Sequence, residues 1–118
     1  FEWDFLLPAW APTIIEPMDL DGVVERRGYF LVFETKEDGA PIKDGQRITL
    51  EAFVKTGKVT VFVLWGKTAE TIRRFDVWWL DKNGTVRKES HIGDADDVTK
   101  LATRWFQWAS NGGRKVDI

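Results

Sequence analysis

From Tyr29 to Phe33 the chain reads Tyr-Phe-Leu-Val-Phe, apolar at every position and rich in aromatic and β-branched side chains. A strand with one face in water alternates apolar and polar residues, whereas an unbroken run fits a strand covered on both faces, and so a central strand of a sheet with layers on either side. That run passes directly into Glu34-Thr35-Lys36. Two ionisable groups at the end of a buried strand are costly to desolvate unless they are paired or given a metal ion.

The residues just upstream, Leu20 to Arg26, read as a second strand folded back across Arg27-Gly28. If those two residues form the whole turn, Arg26 faces Tyr29, Val24 faces Leu31, and Asp21 lies opposite Glu34. Opposite side chains share a face with Cβ atoms roughly 4.5–5.5 Å apart, close enough for two carboxylates to hold one divalent cation. Lys36 falls on the same face about 6.5–7 Å further along the strand, where an ammonium could reach a water or phosphate bound to that cation. Asp19 would face Lys36 on that side. A longer loop or a bulge would instead send the carboxylates to opposite faces, and Arg-Gly is a weaker turn signal than Asn-Gly.

Asp21, the apolar strand, Glu34-Thr35-Lys36 at its end and the helix-then-strand pattern that follows resemble the signature of the PD-(D/E)XK nuclease superfamily, over about residues 16 to 66. That superfamily includes restriction endonucleases, archaeal Holliday junction resolvases and small phage nucleases. The resemblance implies an α/β fold, a restriction-endonuclease-like mixed β-sheet flanked by helices, with a ββαβ core to which this chain adds a second hairpin and a C-terminal helix. It implies that Asp21, Glu34 and the carbonyl of Thr35 hold Mg²⁺ or Mn²⁺, that Lys36 orients the nucleophile or stabilises the transition state, and that Gln46 on the following helix positions the site. Glu2 or Glu16 could supply an extra metal-site glutamate from a preceding helix. The proline usual before the motif aspartate is absent, since Leu20 precedes Asp21 and the nearest proline is Pro17. This leaves Asp19 and Asp21 both open as the principal ligand, with spacing favouring Asp21.

The implied activity is metal-dependent hydrolysis of DNA phosphodiester bonds by an endonuclease or junction-resolving nuclease of phage or mobile-element type. The implied partners are DNA and a possible second copy of the chain, because cutting two strands requires two sites. No membrane is expected, and the location is cytoplasmic, in the host if the protein is viral. The alternatives are a catalytically inactive nucleic-acid-binding or assembly module on the same fold, a structural ion pair of Asp21, Glu34 and Lys36, and a nuclease domain whose specificity lies elsewhere in a longer protein.

The 118 residues suffice for one domain, 1–118, with a real core but no second one. With 43% apolar and 31% charged residues the composition is that of an ordinary globular protein. The absence of cysteine excludes disulfides, thiolate catalysis and thiolate zinc sites, and the single His91 excludes multi-histidine metal sites. No apolar run approaches the roughly 18 residues of a membrane span, and no signal peptide is expected. A net charge of −2 runs against nucleic-acid binding, which a basic field usually supports. Carboxylates neutralised by a cation offset part of it, and Lys36, Lys43, Arg47, Lys55, Lys58 and Arg73-Arg74 are candidates for a local basic patch.

In chain order, Phe1 to Trp10 is apolar and aromatic, broken by Pro8 and Pro12, and reads as a short helix or irregular cap. Glu16 stands before Pro17 and so in extended chain. Asp44 is placed to cap a helix over Gly45 to Thr56 ended by Gly57, with Ile48 and Ala52 on one side and Leu50, Phe53 and Val54 on the adjoining one. Lys58 to Trp65 reads as an internal strand. Ile72 to Leu80 and Thr85 to Ser90 flank Lys82-Asn83-Gly84, the strongest hairpin signal in the chain. Starting near Asp94 or Asp96, the stripe Val98, Leu101, Ala102, Trp105, Trp108 and Ala109 marks an amphipathic helix ended by Asn111-Gly112-Gly113, with a basic tail at Arg114-Lys115. Trp65, Trp105 and Trp108 are expected in the core, and one of Trp78 and Trp79 exposed to a partner or DNA. His91 sits in a turn-like context that supports no Ser-His-Asp arrangement.

Overall fold

In the computed structural model, which describes residues 2–115, the apolar run becomes strand β2 (Tyr29–Lys36), the second strand of a five-stranded mixed sheet. The order along the sheet is β1 (Gly22–Arg26), β2, β3 (Val59–Trp65), β4 (Arg74–Leu80) and β5 (Val86–Ile92). Every neighbouring pair is antiparallel except β2 and β3, which run parallel and are joined by helix α1 (Asp44–Lys55). A second helix, α2 (Ala95–Ser110), follows β5. A 3₁₀ helix over Asp4–Trp10 opens the chain, carries Pro8 within it and contains no buried residue.

The hairpin register is the expected one: Arg26 pairs with Tyr29, Val24 with Leu31 and Gly22 with Phe33. Arg27 and Gly28 both have positive φ, 51° and 83°, as in the mirror-image turns whose twist matches that of the flanking strands. Arginine is an unusual occupant of that conformation. Three hydrogen bonds hold it: Gly28 N–H donates to Glu25 Oε2 at 2.8 Å, Arg27 Nη1 to the Ser110 carbonyl at 2.8 Å and Arg26 Nε to Ser110 Oγ at 2.8 Å, tying the turn to the end of α2.

Alternation along the strands divides the core in two. Leu31, Phe62 and Phe75 pack against Val98, Trp105 and Ala109 of α2, while Val32, Val61, Val63, Trp65 and Trp78 pack against Leu50 and Val54 of α1. In β3, Val61, Phe62 and Val63 are all at most 2% exposed, as befits a strand with a helix on each face. Helix α1 turns Leu50 and Val54 to the sheet, one helical turn apart, and leaves Ile48 57% exposed. The Ile48 side is thus the outer one.

Several details differ from expectation. Helix α1 starts one residue early, with Lys43 at the N-cap making no side-chain bond; Asp44 lies in the first turn, where it meets the positive end of the helix dipole and Arg47 at 3.7 Å. Strand β4 starts at Arg74 because a 3₁₀ turn over Ala69–Thr71, closed by a Thr68–Thr71 capping box, takes up the preceding chain. Strand β5 continues through His91 to Ile92, so His91 is no turn residue: it pairs with Phe75 and stacks on that ring at 5.0 Å. Trp78 is 1% exposed, and Trp79 is half-buried on the other face, so neither indole stands free. The Asn83-Gly84 hairpin forms, with Asp81 Oδ1 accepting from the Asn83 and Thr85 amides, both at 2.9 Å. Helix α2 begins after an Asp94 N-cap that exchanges bonds with Asp97.

The facing of α1 is directly testable. Leu50→Ala, at a fully buried position, should cost about 2–5 kcal/mol in denaturant unfolding, whereas Ile48→Ala should stay within about 0.5 kcal/mol of the parent.

Candidate active site

Glu34 ends the apolar stretch of β2 on the α1 face and is 5% exposed. Its Oε1 accepts a hydrogen bond from Gln46 Nε2 at 2.6 Å and lies 3.7 Å from Lys36 Nζ. Among the described residues its Oε2 is buried without a hydrogen-bond partner, as is Gln46 Oε1. Burial, followed by the nearby charge of Asp21, pushes the Glu34 carboxyl above its ordinary value, against the opposing pull of Gln46 and Lys36.

Each neighbour arrives by a local cause. Lys36 is two residues along the same strand and so on the same face. Gln46 comes from the first turn of α1, and the loop leading into that helix is pinned where Trp65 Nε1 donates to the Ala40 carbonyl at 2.8 Å. Asp21 is a bend residue immediately before β1, in line with the register that sets it opposite Glu34.

Asp21 does not use its carboxylate as the hairpin arithmetic anticipated. Its Oδ2 accepts from the Thr35 amide at 2.8 Å and from Thr35 Oγ1 at 3.0 Å, although Thr35 belongs to the opposite face of β2. The reason lies in the ladder. Strand β1 begins at Gly22, opposite Phe33, so the Asp21 side chain takes up the β2 amide that lies beyond the end of the pairing. Both bonds fall on Oδ2, and Oδ1 is left uncommitted among the described residues. Thr35 enters through its amide and hydroxyl; the metal-ligand role of its carbonyl rests on the resemblance alone.

The donors gathered here are the Glu34 and Asp21 carboxylates and the Gln46 amide oxygen. An all-oxygen set with two negative charges suits a hard divalent cation such as Mg²⁺ or Mn²⁺ and, lacking histidine and cysteine, does not suit zinc. The buried, unpartnered Glu34 Oε2 is the atom such an ion would satisfy. Among the described residues no three His, Cys, Asp or Glu side chains converge. The expected contribution of Glu2, Glu16 or Asp19 is therefore not seen; all three are exposed, and Lys36 pairs with Glu34 rather than Asp19.

Three neighbouring features escaped sequence reasoning. Along the row of Glu34, the register continues through Val63 to Asp76 and Ser90, and Ser90 Oγ donates to Asp76 Oδ1 at 2.7 Å. One row on, Lys36 pairs with Trp65 and Trp65 with Arg74, whose guanidinium lies 4.0 Å from the Trp65 ring centre. Beside them Glu51 accepts from Lys88 at 2.7 Å and Arg47 at 2.8 Å, which lowers its pKa, Lys88 contributing most among the partners. The period-two pattern of β3 and β4 was visible in the sequence, but their mutual register was not. Of the other expected basic residues, Lys58 lies 4.5 Å over the Tyr29 ring at the far end of β2, and Arg73 bonds the carbonyls of Glu70 and Ile72.

The raised Glu34 pKa fixes the sign of a pH effect. Between its unfolded and folded pKa values the native state binds more protons, so Glu34 subtracts from stability as pH rises through that window and is neutral below it. Glu34→Gln should therefore melt at the same temperature as the parent or higher at pH 7–8, with any advantage gone by about pH 4. A large loss of melting temperature at neutral pH would mark Glu34 as half of a stabilising ion pair. No family model, curated protein or solved structure gives a significant match to this chain.

Proposed function

We propose that this chain is a metal-dependent nuclease of the PD-(D/E)XK type that hydrolyses DNA phosphodiester bonds. The observation that carries the reading is Glu34, buried at the end of an apolar strand with one carboxylate oxygen unpartnered and with Asp21, Lys36 and Gln46 around it. The run β1–β2–α1–β3, a hairpin followed by a helix and a parallel strand, supports the restriction-endonuclease-like ββαβ core.

Asp21 and Glu34, with the Thr35 carbonyl, would hold Mg²⁺ or Mn²⁺. When bound, the ion supplies Lewis acidity to a phosphate oxygen and to the attacking water. The chain's own groups do the rest. Gln46 fixes Glu34 by its Oε1 and leaves Oε2 for the ligand, while Thr35 holds Asp21 by Oδ2 and leaves Oδ1. The Lys36 ammonium, 3.7 Å from Glu34 Oε1, is assigned to orient the nucleophile and stabilise negative charge developing on the phosphate.

Calorimetric titration with Mn²⁺ should show a specific site that Asp21→Ala loses. A panel of duplex, single strand, flap and four-way junction with Mn²⁺ should reveal at least one cleaved DNA, and Lys36→Ala should lower that cleavage by about 10²–10³-fold while retaining Mn²⁺ binding. If no DNA is cut with any metal while junctions or protein partners still bind tightly, the nuclease reading fails and a binding module takes its place.

A further inference from the structure

We infer that Arg74 is a second phosphate-binding residue of this site, which with Lys36 forms a cationic row that seats the nucleic-acid backbone next to the bond that is cut. The inference rests on the nuclease reading above. Its evidence is a juxtaposition that only the sheet register creates: Lys36 of β2 pairs with Trp65 of β3, and Trp65 pairs with Arg74 of β4. Directly paired residues share a face, so all three lie on the α1 side, one row beyond the row of Glu34. At about 4.8 Å per strand, the Lys36 and Arg74 backbones stand roughly 10 Å apart, and both side chains are long enough to reach toward the space above Trp65.

Arg74 is held ready for such a ligand. Its guanidinium lies 4.0 Å from the centre of the Trp65 ring. That ring is itself fixed, 6% exposed and anchored through Nε1 to the Ala40 carbonyl at 2.8 Å. The guanidinium carbon sits over the face of that ring, and a guanidinium held against an aromatic face keeps N–H donors that can take two phosphate oxygens at once. On the same face of the sheet Arg47 and Lys88 are committed to Glu51, and just past the end of β3 Lys67 lies 4.0 Å from Glu37. Arg74 is exposed and has no carboxylate within ion-pair distance among the described residues. A guanidinium held against a ring and, among the described residues, unpaired with any acid is able to bind an anion. On the nuclease reading, its place in the row of Lys36, roughly 10 Å away across Trp65, makes the anion a phosphodiester of the strand held at the metal centre, which would cross the sheet from β2 toward β4.

The test uses a fluorescent four-way junction and a fluorescent duplex bound in Ca²⁺ over a salt series, then cleaved in Mn²⁺. Arg74→Ala should weaken binding by roughly five- to tenfold at low salt and reduce the slope of log affinity against log salt by about 0.7–0.9, the share of one phosphate. In cleavage it should raise KM with little change in kcat, because a contact to a neighbouring phosphate is present before and during the reaction. Mn²⁺ affinity should not change. Arg74→Lys should restore the salt slope and only part of the affinity, because it keeps the charge and loses the planar fork. Should Arg74→Ala fold poorly, Arg74→Gln, which keeps a planar group over the ring, carries the same measurement. Unchanged affinity and slope in the neutral variants, with Lys36→Ala still deficient in cleavage, would overturn the role of Arg74 and leave the nuclease standing. A parent protein that cuts none of duplex, single strand, flap and four-way junction with Mn²⁺ would overturn both.

Discussion

Burying the Glu34 carboxylate sets the terms for everything at that end of the sheet. At 5% exposure it gives up most of its hydration, and the protein returns little: one short hydrogen bond from Gln46, an ammonium at 3.7 Å, and the unhelpful charge of Asp21 nearby. A carboxylate buried for stability alone would use both oxygens, because each lone pair left unsatisfied in a low-dielectric setting costs free energy. Glu34 uses one. On the proposed nuclease reading, a ligand that engages the second oxygen would offset part of that cost.

The rest of the architecture makes that cost bearable and the placement rigid. The β3 side chains beside Glu34 are buried on both faces, and separate clusters lie under α1 and α2. Edge-to-face contacts between Tyr29 and Trp108 at 4.7 Å, and between Phe33 and Phe62 at 5.7 Å, fix β2 from the α2 side. Gln46 is delivered by a helix whose Leu50 and Val54 are fully buried. Side chains carried on strands and helices are held more closely than those on loops, and Glu34, Lys36 and Gln46 are all carried in that way. Asp21, on a bend, instead has its carboxylate fixed by two bonds from Thr35.

How much of this was legible before the structure depended on range. Local pattern located β2, and the turn arithmetic at Arg27-Gly28 set the β1–β2 register correctly because a two-residue turn leaves no freedom to slip. Gln46 was found near Glu34 because the helix start lay within a residue of its expected place. What failed was non-local or directional. Nothing in the sequence says that the Asp21 carboxylate would turn along the sheet edge to an unpaired amide, that His91 would be drawn into β5 opposite Phe75, or that Trp79 would be half-buried. The row Lys36–Trp65–Arg74 requires the registers of two strand pairs at once, one of them parallel. Such registers are set by the packing of whole faces, which a single chain of residues does not display.

The acidic balance that counted against nucleic acid also reads differently once position is taken into account. Six of the nineteen acidic residues precede the first basic one, Arg26, so from Arg26 onward the chain holds seventeen basic against thirteen acidic groups, a net +4. Several of those thirteen are already engaged: Glu51 by Arg47 and Lys88, Asp81 by Arg87, and Asp94 and Asp97 by the amides at the start of α2. Charges separated by more than about 8–10 Å are largely screened at ordinary salt. A phosphate arriving over Trp65 would therefore respond to Lys36, Arg74 and any bound cation, set against the nearby carboxylates of Glu34, Asp21 and Asp76. The overall charge of −2 describes the sum of an acidic leading segment and a basic remainder, and it is the remainder that forms the central and far strands of the sheet.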